Sequence, residues 1–228
     1  MADKVSRLIT TNRMLTNAVA HELRTPIFRL QWQADLLDSN SLNEQQQKYV
    51  KGIVEDIDEM ESMVEELLYY AKMERPNVEI ETSSVALSIF TQSLLSGWQR
   101  DTPLSIKITD ASSPKTTIDV DPQLLRRALD NLMRNAMRYA KTQIVLELVE
   151  TSEKLFICIH DDGCGVEEKH WPHLYDAFYS ADQSRNKSIS GCGLGLAIVK
   201  QIIELQKGKV SVSHSPYGGA CFTINFPK

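Results

Sequence analysis

The strongest constraint on the fold is a run of apolar residues in the first third of the chain. Val50, Ile53, Ile57, Met60, Val64, Leu67 and Ala71 alternate steps of three and four over three heptads. That spacing keeps one stripe of an α-helix apolar, as a coiled-coil seam requires. Upstream, Val5, Leu8, Leu15, Val19, Leu23, Ile27, Leu30, Ala34 and Leu37 recur at helical spacing and predict a first long amphipathic helix. Between the two, D-S-N-S-L-N over 38–43 is rich in turn and capping residues. Ser41 followed by Glu44 has capping-box spacing, which predicts the start of the second helix. Two such helices form an antiparallel hairpin whose seam one copy cannot cover. Each fully buried core side chain is worth roughly 1.5–3 kcal/mol, so pairing two copies into a four-helix bundle is favoured and a homodimer is expected. The acids of the second helix (Glu55, Asp56, Asp58, Glu59, Glu65, Glu66) read as a solvated face, with Lys48 and Lys51 as i+4 partners for some of them.

After Ala71 the heptad stops, and Pro76 forbids continuation of the helix. Downstream the texture alternates. Residues 106–108, 144–148, 154–160, 209–213 and 220–226 read as strands, and 84–97, 122–140 and 194–206 as helices; Gly218-Gly219 marks a hairpin between the last two strands. The predicted organisation is α+β, with a hairpin domain over 1–75 and an α/β sandwich over 76–228. Because the strand runs come paired at the end, a doubly wound sheet is not expected.

Composition narrows the partners. A formal net charge of -5 over 228 residues argues against nucleic acid, whose binders carry a clustered basic patch. The four cysteines form no C-x-x-C pair, so neither a zinc site nor a disulfide framework is expected, and a reducing, cytosolic setting fits best. No apolar run approaches the ~20 residues that span a bilayer. The chain starts directly in a helical pattern, which reads as a piece of a longer protein.

On the first helix, placing Val19 at zero puts Leu15, Leu23, Leu30, Ala34 and Leu37 within about 60 degrees of it, and His21 at about 200 degrees. His21 therefore faces solvent, on one stripe with Thr25, Phe28 and Trp32 and beside Glu22. Pro26 removes the amide that would bond the carbonyl of Glu22, so a bend is expected one turn on. A neutral imidazole has a nucleophilic lone pair, and an adjacent carboxylate can orient it or take its proton.

Two glycine-containing strings suggest an anion site. In D161-D162-G163-C164-G165-V166, two acids at the end of an apolar strand run into a turn. In G191-C192-G193-L194-G195-L196, three alternate glycines open a helix, whose free amides and dipole favour an anion. A dinucleotide fingerprint fails because the third glycine comes too early, and a Walker loop fails for lack of G-K-[ST]. On the helix 122–140, Asn131 and Asn135 share a face, with Arg134, Arg138 and Tyr139 adjacent. Asn oxygens suit Mg²⁺, and the tyrosine ring could flank a base. The remaining histidines (His160, His170, His173, His214) lack metal-ligand spacing and read as structural or surface.

H21-E22-L23-R24-T25-P26 resembles the H-box of sensor histidine kinases, and the hairpin exit Y69-Y70-A71-K72-M73-E74-R75-P76 looks like that of enterobacterial kinases of the RstB type. N131-L132-M133-R134-N135-A136-M137-R138-Y139, D161-D162-G163-C164-G165, L174-Y175-D176-A177-F178-Y179 and G191-C192-G193-L194-G195 resemble the four boxes of the ATPase fold that these kinases share with DNA gyrase, heat-shock chaperone ATPases and MutL. The resemblance implies ATP and Mg²⁺ as cofactors. It implies His21 as phosphoacceptor, Glu22 as general base and Thr25 as the residue that positions water for dephosphorylating a regulator. It further implies Asp161 on the adenine amino group, Asn135 on Mg²⁺, Asn131 and Arg138 at the phosphates, and a lid within 178–192 in which Arg185 and Lys187 reach the γ-phosphate. Nucleotide contacts are thus expected from Asn131, Arg134, Asn135, Arg138, Tyr139, Asp161, Gly163, Gly165, Phe178, Gly191, Gly193, Leu194, Gly195 and Leu196. Arg138 stands where lysine is common, and Cys192 where a small hydroxyl or glycine is usual.

The expected activity is autophosphorylation of His21, then transfer to a receiver-domain aspartate, with Phe28, Arg29 and Trp32 as docking candidates and regulator dephosphorylation as a companion activity. The parent is expected to be an inner-membrane sensor, anchored through segments absent from this chain. The competing reading is an ATP-gated conformational ATPase of the gyrase or MutL kind, which the H-box disfavours.

Overall fold

The computed structural model describes residues 23–34, 36–37, 42–75, 78–112, 116–181 and 193–228. The chain divides into two compact units, Met1–Pro76 and Asn77–Lys228.

In the first unit, helix α1 is described over 23–34 and is continuous across Pro26; α2 spans Glu44–Met73. Asn43, not Ser41, caps α2. Its side chain accepts the backbone N–H of Gln46, and the Gln46 side chain accepts the N–H of Asn43 in return. The capping box therefore lies two residues beyond the expected one, with asparagine and glutamine in the roles of serine and glutamate. The apolar seam of α2 also resolves into two rows. Ile57, Val64 and Ala71, seven apart, are buried, and Ile57 and Val64 pack with Ile27 of α1. Ile53 and Met60, also seven apart, are exposed. On α1 the same division leaves Leu23 and Leu30 exposed while Ile27 is buried, and Leu37 beyond the helix is exposed too. The helices are further joined by Gln31, whose amide donates to Glu61 at 2.9 Å.

The second unit is built on a five-stranded sheet: β2 (Ser105–Asp110), β4 (Gln143–Glu150), β5 (Lys154–Asp161), β7 (Ala220–Pro227) and β6 (Lys209–His214), in that order. β2 and β4 run parallel; every other neighbouring pair is antiparallel. Alternation sets the faces. Ile144, Leu146 and Leu148, Leu155, Ile157 and Ile159, and Ile224 and Phe226 form the core face. Val145, Glu147, Cys158, His160, Cys221 and Thr223 lie on the other. Helices α3 (Leu87–Arg100), α4 (Pro122–Tyr139) and α5 (Gly195–Leu205) supply the apolar residues of the second layer, including Leu94, Leu125, Leu129, Leu132, Ile198 and Ile202. Asp121 caps α4 through the N–H groups of Gln123 and Leu124, with Pro122 at its start.

One expected element changes identity. The helix predicted over 84–97 begins only at Leu87, because Ser83–Ala86 is a strand, β1, paired antiparallel with β3 (Thr117–Val120). Val85 and Ile118 are buried there, so tertiary pairing overrides the local pattern.

Candidate functional site

The C-terminal end of β5, the loop between α4 and β4, and the start of α5 carry the two glycine strings and the asparagines of α4. Asp161 ends β5 as a buried carboxylate, 3% exposed. Its Oδ1 accepts the backbone N–H of Gly163 at 2.8 Å and of Ala220 at 3.2 Å, and its carbonyl accepts the N–H of Gly219. Burial pushes its carboxyl above the usual range while the two amides pull the other way. Asp162 accepts the N–H groups of Lys141 and Thr142 and the Thr142 hydroxyl, and these bonds, the hydroxyl first, hold its carboxyl well below the usual range. One acid is thus set into the protein at the strand end, while the other ties the strand to the loop after α4.

Close backbone approach explains two glycines. A Cβ on Gly163 would stand 2.3 Å from the carbonyl oxygen of Tyr139, and one on Gly219 would stand 1.9 Å from Oδ1 of Asp161. Gly193 has φ 73, and a Cβ there would lie 2.7 Å from the backbone of Phe178. Phe178 itself has φ 65 and donates its N–H to the carbonyl of Gly193 at 3.1 Å. The two ends of the intervening segment are therefore held at one point.

Asn131 is buried on α4. Its amide donates to the carbonyl of Gly195 at 3.3 Å and its oxygen accepts from Arg134, so it clamps the start of α5 to α4. With these two bonds made, the Asn131 side chain still has a second N–H and a second lone pair. Asn135, one turn on, and Tyr139 are half-buried, while Arg134 and Arg138 are exposed. Among the described residues no side chain caps the N-terminus of α5 at Leu194, where the leading amides of Gly195 and Leu196 form a helix N-terminus suited to an anion. Gly165, with φ 72, turns the chain after β5 against Gly219.

These contacts group Asp161, Gly163 and Gly165 at the end of β5, and Asn131, Arg134, Phe178, Gly193 and Gly195 around the start of α5. Thr25, Phe28, Arg29 and Trp32 are exposed on α1 of the other unit. His21, Glu22, Arg185, Lys187, Gly191 and Cys192 lie outside the described residues. Thr142 and Ala220, which bond Asp162 and Asp161, have no local signal in the sequence. The paired acids were one usable signal; Gly218-Gly219 reads only as a hairpin turn until the sheet order is known.

Residues 120–228 match the histidine kinase-, DNA gyrase B- and HSP90-like ATPase family, and residues 11–76 match the His Kinase A (phospho-acceptor) domain family. The chain is 34% identical over 233 residues to Sensor protein RstB of Escherichia coli (strain K12), an alignment covering 100% of this chain and 51% of that protein. The chain belongs to the sensor histidine kinase family. Sensor histidine kinase CpxA of Escherichia coli (strain K12) is 29% identical over 231 residues, covering 100% of this chain and 49% of its own length. The kinase chain thus spans about half the length of these relatives. Among solved structures, full-length ShkA in complex with AMPPNP superposes with a TM-score of 0.74 at 27% identity, over 93% of this chain and 45% of that one. Histidine kinase AdeS of Acinetobacter baumannii shares the fold, with a TM-score of 0.63 at 23% identity over 91% and 97% of the two chains. No helix among the described residues of this sensor histidine kinase is long and apolar enough to cross a membrane.

Proposed function

We propose that residues 76–228 bind Mg·ATP, that residues 1–75 form a dimerising phosphotransfer hairpin, and that the γ-phosphoryl group passes from ATP to His21 and then to an aspartate of a response-regulator receiver domain. The observation that carries the reading is the buried Asp161 carboxylate at the end of β5, in a domain whose glycine string opens α5 and in a chain that also matches a phospho-acceptor domain. Both bonds to Asp161 fall on Oδ1, which leaves Oδ2 to accept the exocyclic amino group of adenine. The leading amides of α5 receive phosphate oxygens, and Arg138 supplies positive charge at the polyphosphate. Asn135 fits Mg²⁺: it offers a hard oxygen donor, half-buried on the same helix, and phosphate oxygens and water complete such a shell. A bound Mg²⁺ would neutralise charge on the phosphates. In the transfer, a ring nitrogen of His21 attacks the γ-phosphorus, the bond to the ADP oxygen breaks, and Glu22 takes the imidazole proton.

Thr25 is exposed and would position water for regulator dephosphorylation. Phe28 and Trp32, 67% and 58% exposed, would dock the receiver domain together with Arg29. The parent would be an inner-membrane sensor with this portion in the cytoplasm. The gyrase-like ATPase alternative is not favoured, because residues 11–76 match a phospho-acceptor domain.

The test is incubation with γ-labelled ATP and Mg²⁺. Acid-labile, base-stable label on the parental chain, lost in His21→Gln and Asn135→Ala, is the expected result. Free phosphate released at a rate indifferent to His21 would replace this reading with the ATPase machine.

A further inference from the structure

The sheet face opposite the core carries a cluster that the nucleotide reading does not use. Cys158 and His160 are two apart on β5 and so share that face, and pairing in the sheet sets Cys221 of β7 directly opposite His160. One ligand atom from each of the three lies within 4.8 Å of the other two. Cys221 Sγ is 3.8 Å from His160 Nε2. Both cysteines are free thiols. The Thr223 hydroxyl lies between the sulfurs, 3.5 Å from Cys221 and 3.7 Å from Cys158. Glu147 of β4 places a carboxylate oxygen 3.4 Å from His160 Nε2, and the ring of Tyr217 meets the imidazole edge-on with centroids 5.6 Å apart.

We infer that Cys158, His160 and Cys221 form a soft-cation site of the Zn²⁺ class on the outer face of the sheet, with Glu147 or water in the fourth position. Two sulfurs and an imidazole are the donor set that selects zinc over magnesium or calcium. The 3.8 Å between Cys221 Sγ and His160 Nε2 is close to the separation of two zinc ligands, and Cys158 Sγ lies within 4.8 Å of both. Zn–S bonds of about 2.3 Å and Zn–N bonds of about 2.0–2.1 Å at a tetrahedral angle put ligand atoms roughly 3.6–3.8 Å apart. His160 is buried and held by sheet pairing on both sides, so the ligands are fixed by backbone that the fold already orders. Absence of a C-x-x-C string is no obstacle, because strand alternation and cross-strand pairing supply the proximity. The proposal departs from the expectation that the cysteines and His160 hold no metal.

The test uses the full chain, reduced, with Zn²⁺ alone as the probe against a chromophoric zinc indicator, followed by Co²⁺ substitution. One equivalent of Zn²⁺ per chain is expected, together with thiolate-to-cobalt charge transfer and the ligand-field bands of a tetrahedral site. Cys158→Ser, Cys221→Ser and His160→Ala should each weaken binding by at least about tenfold, since loss of a ligand costs no less than loss of a supporting partner. Cys164→Ser, on an exposed thiol outside the cluster, should bind as the parent does. Thermal unfolding shows which variants fold. No thiolate charge transfer in the parent's Co²⁺ spectrum overturns the site whatever the variants do, and so does binding that is unchanged in folded Cys158→Ser and Cys221→Ser.

Discussion

The two units bury apolar surface in opposite ways. The second unit closes its own core: Leu125, Leu129, Ile144, Leu146, Leu155, Ile157 and Ile198 are 0% exposed within one chain. The hairpin does not. Ile27, Ile57 and Val64 are buried, but Leu23, Leu30, Leu37, Ile53 and Met60 remain between 40% and 53% exposed. Both arrangements come from regular apolar spacing, yet a two-layer sandwich offers a second layer and a two-helix hairpin offers only a second helix. The stability of the hairpin should therefore depend on chain concentration, and that of the sandwich should not.

The largest break in this comparison comes from charging the exposed row. Leu30→Glu with Ile53→Glu would place two carboxylates in the exposed apolar row, where an unpaired charge would be costly if a second copy covers it. A loss of roughly 3 kcal/mol corresponds to about 100-fold weaker dimerisation. Sedimentation should report a monomer and circular dichroism a loss of hairpin helix, with nucleotide binding retained. A variant that stayed dimeric would show that the row at 23, 30, 37, 53 and 60 is not the interface.

The converse break is Gly163→Ala. Its Cβ would overlap the Tyr139 carbonyl at 2.3 Å and approach Asp161 Oδ1 at 2.9 Å, so backbone must shift at the strand end. A cost of about 2–3 kcal/mol is expected on the second unit alone, in the range of a strained or overpacked site. A fluorescent ATP analogue should no longer bind while the dimer persists. Retained binding at parental affinity would remove Gly163 from the site.

These contrasts also explain what could be read in the sequence. The helices of the hairpin and the five sheet strands carry their own periodicity, so residues such as Ile57 and Leu146 were legible as core. The division of one seam into buried 57/64/71 and exposed 53/60 was not, because periodicity names a stripe and not its partner. β1 and β3 were missed because four-residue strands leave too little alternation, and Val85 followed by Leu87 fits a helix start equally well. In the site, Asp161 and the glycines were visible as local strings. The clamp from Asn131 to Gly195 spans 64 residues, the bond from Ala220 to Asp161 spans 59, and the grouping of Cys221 with His160 spans 61. None of those has a local signal; sheet order creates them.

The smallest effect sharpens the comparison through pH. Burial, then the neighbouring Glu74 charge and a 3.2 Å hydrogen bond to it, push the Tyr70 hydroxyl up to about 12 in the hairpin. Burial likewise pushes the Tyr175 hydroxyl of the second unit up, and among the described residues that oxygen has no hydrogen-bond partner. A raised folded pKa favours the neutral phenol. Each contribution is therefore complete below about pH 10, where an unfolded tyrosine begins to ionise, and is lost as pH climbs toward the folded value. Melting each unit between about pH 8 and 11.5 should show an alkaline loss in both. Tyr70→Phe should flatten the loss in the hairpin alone and Tyr175→Phe in the sandwich alone. At neutral pH the two should differ in sign: Tyr70→Phe gives up a bond, while Tyr175→Phe removes an unpaired buried hydroxyl and should be neutral or slightly stabilising. A crossover, with either variant flattening the other unit's profile, would show that the units do not melt independently.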